Sequence, residues 1–177
     1  MNQISYTQRN CKDKKKIETF LSEARTGVLG MINGDFPYAV PVNYLWHNGS
    51  VYFHGMGSGK KEKILSQNPP VCFTIYEEFG TVTDPVPCHA DTAYVSLMLF
   101  GNAEKVTDTE EATEALQKLV DKYMPNYYSH SLTSTFIEKY RSSLDGNPVS
   151  IYRITPQEMT VKENSAEPEK LFNLKTQ

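Results

Sequence analysis

A run of alternating glycines ending in two lysines holds the residues best suited to chemistry: His54-Gly-Met-Gly-Ser-Gly-Lys-Lys61. Glycine lets a backbone approach a ligand closely, and Lys60 and Lys61 bring full positive charge. A helix opening at this point would add unpaired N–H groups and partial positive charge. These residue types suit a phosphate. The spacing is not that of the nucleoside-triphosphate loop G-x-x-x-x-G-K-[ST], because Gly55 precedes Gly59 by only four positions and Glu62 follows Lys61. The competing reading is a flexible loop with a solvated lysine pair. Ser58 has two roles open to it, a hydroxyl donor to the same anion or the N-cap of the helix.

Other candidates are weaker. Asn43 stands on an otherwise apolar strand, where its amide can meet a polar ring edge or serve as an ordinary edge amide. Tyr38 and Tyr44 suit the core. His54 suits a positioning role, since a general base needs a partner that fixes its tautomer. Cys88 and His89 are adjacent, and neighbours on an extended chain point to opposite faces, so a shared metal is disfavoured. No Cys-x-x-Cys or His-x-x-x-His spacing suggests a metal site. Cys72 fits a buried strand and Trp46 surface packing. No acid–base dyad or nucleophile triad is apparent.

The elements that must position these residues follow from periodicity and turn chemistry. Asp13 can cap a helix whose apolar face is Ile17, Phe20, Leu21 and Ala24, with Gly27 at the place of a C-cap glycine. Strands follow at Val28–Ile32, Pro37–Leu45 and Val51–Gly55, separated by Asn33-Gly34 and Asn48-Gly49 hairpin signals. Pro41 places an edge or a bulge in the middle of the second strand. A short helix over Lys60–Gln67 leads to a buried strand, Val71–Tyr76. Glu77–Ala90 reads as a loop. Tyr94–Phe100 is the most apolar strand and continues to Val106. Asp108 and Glu111 form a capping box for a helix burying Ala112, Ala115, Leu116, Leu119, Val120 and Tyr123. A shorter helix fits Ser134–Ser143, a closing strand Val149–Ile154, and Met159–Val161 can extend that strand. Hairpins without βαβ alternation point to a β-rich α+β fold, with six or seven strands suiting a small barrel.

The chain has 177 residues and a net charge of −3, with 39% hydrophobic and 22% charged residues. This suits one domain with a core, residues 1–164, followed by a polar C-terminal tail, residues 165–177. The acidic balance argues against a general nucleic-acid surface, and no apolar run is long enough to span a membrane. Three widely spaced cysteines, Cys11, Cys72 and Cys88, fit a reduced cytoplasmic protein. The N-terminus lacks an apolar signal region.

Taken together, Gly27-Val-Leu-Gly30, Pro37-Tyr-Ala-Val-Pro-Val-Asn-Tyr44, Val51-Tyr-Phe-His-Gly55, Lys61, Asn68-Pro69 with Val71-Cys-Phe73, and Ser96 with Gly101 resemble the pyridoxamine 5′-phosphate oxidase-related split barrels, and within them the nitroimidazole-resistance (Nim) proteins. The resemblance covers residues 17–161. It implies a six-stranded antiparallel split β-barrel with peripheral helices, binding FMN at the interface of a homodimer. It puts the phosphate at Lys60 and Lys61, the flavin-lining strand at Pro41, Val42, Asn43 and Tyr44, the ribityl and phosphate end at His54 and Gly55, and a contact across the dimer at Ser96. Many Nim-like members carry His or Arg where this chain has Lys60, so nitroimidazole reduction is in doubt.

The implied activity is that of an FMN-dependent oxidoreductase acting on a small molecule by hydride transfer at the flavin. Two alternatives stay open. One is a non-catalytic FMN-binding protein. The other is a haem-binding split barrel using His54, His89 or His130 as axial ligand. A vitamin B6 oxidase proper is disfavoured, because the C-terminal region offers only Arg153 and Lys162 for a second phosphate.

Overall fold

The computed structural model describes residues 6–173. The extreme ends of the chain, including the last four residues of the expected tail, lie outside the described residues. Eight strands and four α-helices follow one another as α1 (Lys14–Glu23), β1 (Thr26–Asn33), β2 (Phe36–Asn43), β3 (Leu45–His47), β4 (Ser50–Gly55), α2 (Lys60–Leu65), β5 (Pro70–Val82), β6 (Asp91–Lys105), α3 (Thr109–Tyr123), α4 (Ser134–Lys139), β7 (Ser150–Ile154) and β8 (Glu158–Asn164).

The architecture is β-rich α+β, as expected, but with eight strands instead of six, and the sheet does not close. Its order is β2-β1-β5-β6-β7-β4-β3, with β8 also pairing β6. All pairings are antiparallel. The long strand β6 explains the count. One side pairs with β5, while the other is shared by β8 along Tyr94–Phe100 and by β7 along Ala103–Lys105. Met159–Val161 therefore belongs to a separate strand and does not extend β7. The turn between these strands crosses β6 at Gly101, where a Cβ would lie 2.5 Å from the Thr155 carbonyl oxygen.

Both hairpin signals hold. Asn48 and Gly49 take φ of 48° and 71°, the left-handed pair that a tight two-residue turn requires. Gly34 has φ of 58° in the β1–β2 turn. Pro41 sits on β2, an edge strand, in unbroken register opposite Val28. The expected loop at Glu77–Ala90 begins as strand and is irregular only after Val82. β5 runs on to Val82 through a bulge between Glu78 and Gly80, where Gly80 takes φ of 133°. The bulge breaks the alternation that would have marked a strand. Part of the C-terminal segment docks here. The amide of Thr83 donates to the Lys170 carbonyl and the amide of Phe172 to that of Thr81, both at 2.8 Å.

Asp13 caps α1 as expected, its carboxylate accepting from the amides of Lys15 and Lys16. The helix ends at Glu23, however, so Gly27 is no C-cap. It lies in β1, where a Cβ would come 2.2 Å from the Phe73 ring. Asp108 caps α3 by accepting from the Glu111 amide at 2.7 Å.

The main core, including Leu21, Leu29, Tyr44, Phe53, Phe73, Leu97, Leu99 and Tyr152, fills the inside of the curved sheet. A second cluster joins Ala112, Ala115 and Leu119 of α3 to Leu45, Tyr52 and Ile151 on the outside of β3, β4 and β7. Among the described residues no helix is long and apolar enough to cross a membrane.

Candidate functional site

β4 ends at Gly55 and the chain crosses a glycine-rich loop into α2. This helix has six residues and no side-chain cap; its N-cap is Gly59, with φ of 99°. Ser58 therefore does not cap it, and a helix so short adds little dipole, so the lysines must carry any charge-based recognition. The glycines have separate jobs. Gly55 leaves room for Lys61, whose Nζ would be 3.0 Å from a Cβ there. Gly57 admits a later segment: a Cβ would meet Asn147 Cβ at 2.7 Å and the Pro148 carbonyl at 2.9 Å. Gly59 supplies the left-handed backbone.

A cleft of about 340 Å³ opens between this loop and residues 140–149, lined by His54, Gly55, Met56, Lys61, Tyr140, Ser142, Pro148 and Val149. Lys61 is half-buried, and its Nζ stands 5.7 Å from the centre of the Phe53 ring. Burial lowers its pKa, which the charge of Glu62 partly offsets. Among the described residues Lys61 enters no ion pair. The His54 ring is open to the cleft but set within the protein mass, and burial together with the Lys61 charge lowers its pKa. Two groups whose charged forms are disfavoured thus face one cavity, and an anion there would favour both charges.

The structure does not bring Lys60 to this cleft. Its Nζ sits 4.6 Å above the Tyr38 ring on β2. Ser58 donates to Asp145 Oδ2 at 2.7 Å, and Asp145 also accepts from the Asn147 amide and side chain. These bonds hold the carboxyl down at about 2 and tie the 142–148 segment over the glycine loop.

The Pro41–Tyr44 strand divides by face. Pro41 and Asn43 are exposed, while Val42 and Tyr44 are buried. Tyr44 belongs to the core. Its hydroxyl donates to the Leu21 carbonyl at 2.8 Å, and its ring meets Phe73 edge-on at 5.2 Å between centroids. Asn43 Oδ1 accepts weakly from the Thr26 hydroxyl at 3.4 Å. Ser96 lies on β6 between Tyr76 and Lys162 in register, on the same outer sheet face as Pro41. His89 pairs with Asp84 at 3.4 Å on an exposed turn, and Cys88 is exposed and free. No metal-holding cluster occurs among the described residues.

Sequence reasoning missed Tyr140, Ser142, Pro148 and Val149, which form half of the cleft wall. The Ser58–Asp145 bond joins residues 87 apart, and no local spacing signals such a contact.

The chain matches the pyridoxamine 5′-phosphate oxidase family over residues 13–163. No curated protein sequence matches it. Among solved structures, the fold is shared with the flavocytochrome Anf3 from Azotobacter vinelandii, at 20% identity and a TM-score of 0.78, over 98% of this chain and 77% of that one. An FAD- and haem-binding protein from Mycobacterium smegmatis matches at 14% identity and 0.73, over 90% and 75%. A candidate 5-nitroimidazole antibiotic resistance protein from Bacteroides thetaiotaomicron matches at 26% identity and 0.63, over 86% and 85%.

Proposed function

We propose that this chain, which belongs to the pyridoxamine 5′-phosphate oxidase family, is a flavin-binding split-barrel protein that holds FMN by its phosphate at Lys61 and acts as an oxidoreductase. The observation that carries the reading is the Lys61 ammonium, half-buried beside Gly55 in a cleft and, among the described residues, in no ion pair with a carboxylate. A phosphate dianion there would gain charge-assisted hydrogen bonds from a donor already in place. His54, at the same opening, can donate through its ring N–H even when neutral. The proteins described as a flavocytochrome and as FAD- and haem-binding support a flavin on this fold.

When bound, a flavin supplies hydride or electron transfer, a step that asks the protein for orientation more than for a side-chain acid–base pair. The protein's own part is to anchor, orient and shield it. The outer sheet face offers a wall for the ring. Pro41, Val28, Thr74, Met98 and Thr160 stand in one registered row across β2, β1, β5, β6 and β8, with Val28 and Met98 exposed. A second copy of the chain packed on this face would bury these residues, close the ring site, and bring Ser96 of each subunit near it. The three free cysteines support a cytoplasmic setting.

Nitroimidazole reduction is not included in this reading, since Lys60, at the position where the resemblance implies His or Arg, turns to Tyr38 and away from the cleft. A haem reading keeps one candidate ligand, His54, because it alone among His54, His89 and His130 lines the cleft.

The test is the visible spectrum of the purified protein, followed by release and mass identification of the chromophore. Flavin bands and a mass of FMN are expected. A colourless protein that takes up no FMN on titration overturns the proposal. A Soret band after haem addition, lost in His54→Ala, would favour haem instead. Turnover with a reduced nicotinamide donor separates an oxidoreductase from a non-catalytic FMN carrier.

A further inference from the structure

Helix α2 cannot place Lys61 by itself. Six residues are too few for a helix to persist in water, its N-cap is a glycine in left-handed conformation with no side-chain cap bond, and its only buried residue is Leu65 at the far end. Something else must hold the first turn.

Glu62 does so. Its carboxylate, 15% exposed, accepts from the Tyr152 hydroxyl at 2.5 Å, from Lys105 Nζ at 2.9 Å and from the Ser150 hydroxyl at 3.4 Å. Burial pushes the carboxyl up, but the Tyr152 and Lys105 bonds outweigh this and hold it below its ordinary value. Tyr152 is fully buried and stacks on Phe53 at 5.5 Å and 17°. Phe53 is the ring beneath the Lys61 ammonium. The path closes on itself: Lys61 over Phe53, Phe53 on Tyr152, Tyr152 to Glu62, and Glu62 back to Lys61 along the helix. Glu62 directs its oxygens to Lys105 and Tyr152 and forms no ion pair with Lys61, which leaves that ammonium available to an outside anion.

We propose that Glu62, gripped by Tyr152 and Lys105, is the positioning residue that aims the Lys61 ammonium into the cleft and so sets the preference for a phosphorylated flavin over an unphosphorylated one. This rests on the flavin reading above and adds the device that selects the phosphate.

The experiment compares wild type, Tyr152→Phe and Glu62→Gln, titrated with FMN and with riboflavin, alongside the Lys61 side-chain NMR signal of the ligand-free protein. Tyr152→Phe removes one hydroxyl and keeps the stack. FMN affinity should fall about tenfold in it, with riboflavin unchanged. The Lys61 Cε signal, shifted in wild type by the Phe53 ring, should move toward that of a free lysine. Equal loss of both ligands with an unmoved Lys61 signal would mean a structural role only and overturns the inference. So does a fully retained FMN preference, in which case the flavin reading stands. Should wild type bind neither ligand, the flavin reading fails, and the Lys61 signal alone decides whether Glu62 positions the ammonium.

Discussion

The Lys61 ammonium passes the Gly55 backbone so closely that a Cβ at Gly55 would lie 3.0 Å from Nζ and 3.1 Å from Cε. The obstructing atoms are the tip of a flexible side chain, which can swing aside at little cost to the fold. Gly55→Ala should therefore melt within about 1 kcal/mol of wild type yet bind FMN about tenfold more weakly, because the charge is displaced from its aim. Urea unfolding and FMN fluorescence titration on one preparation check both halves. A large loss of stability, or undiminished affinity, would contradict the assignment.

The two adjacent lysines should not behave alike. Lys61 lines the cleft, whereas Lys60 lies over Tyr38. Lys61→Ala should weaken FMN binding by about 10- to 100-fold, the range of a lost charged hydrogen bond. Lys60→Ala should change it by less than about threefold, and the small change should fade with added salt. Calorimetric titration at two salt concentrations separates them. A larger loss in Lys60→Ala would mean that the phosphate sits on the β2 side of the helix.

Much of the fold was legible because local chemistry dictates it. Asp13 and Asp108 announce their helices, and Asn48-Gly49 announces its turn. The apolar run Tyr94–Phe100 announces β6, which buries alternate residues from Ala93 to Ala103. Where sequence reasoning failed, a contact between distant residues had won. Gly80 stands at the bulge that carries β5 onward but suits a loop equally well, and Pro156 marks a break after Thr155 without telling that the turn will cross Gly101 and divide β7 from β8. The site follows the same rule. Lys61 and His54 are visible in the glycine loop, but the opposite wall arrives from residues 140–149. Glu62, which in the sequence only broke the triphosphate-loop pattern, gains its role from Tyr152, 90 positions away.

A separate cation gives a pH signature. Lys122 Nζ donates to the Ala24 carbonyl at 2.7 Å and lies 4.3 Å from the centre of the Tyr44 ring. Burial, and then the Arg25 charge, bring its pKa down to about 8, against about 10.4 in an unfolded chain. The folded state thus gives up this proton first. Between those values the unfolded chain holds more protons, so stability should rise with pH through that window, and the cost should be fully present below it. Lys61 shifts in the same direction, so the comparison must be with Lys122→Met. The stability difference between wild type and Lys122→Met should move in favour of wild type from about pH 8 to pH 10. A difference that stays flat over that range would refute the assignment.

Gly27 offers the sharpest test of packing. In β1 it faces the Phe73 ring, and an added Cβ would stand 2.2 Å from Cζ and 2.5 Å from Cε1. Phe73 is fully buried and touches Tyr44 edge-on, so its ring has little freedom to yield. Gly27→Ala should cost about 1–3 kcal/mol, the usual range for overpacking a filled core. A C-cap glycine replaced by alanine would also lose stability, so the single variant does not discriminate. The double variant with Phe73→Leu does. Shortening the side chain opens the space that the new methyl needs, so the two costs should be less than additive by about 1 kcal/mol. Strictly additive costs would mean that the glycine is needed for its backbone, and that the ring contact is incidental. Because Gly27 and Phe73 lie in the core and not in the Lys61 cleft, FMN affinity measured well below the melting temperature should stay at the wild-type value in all three variants.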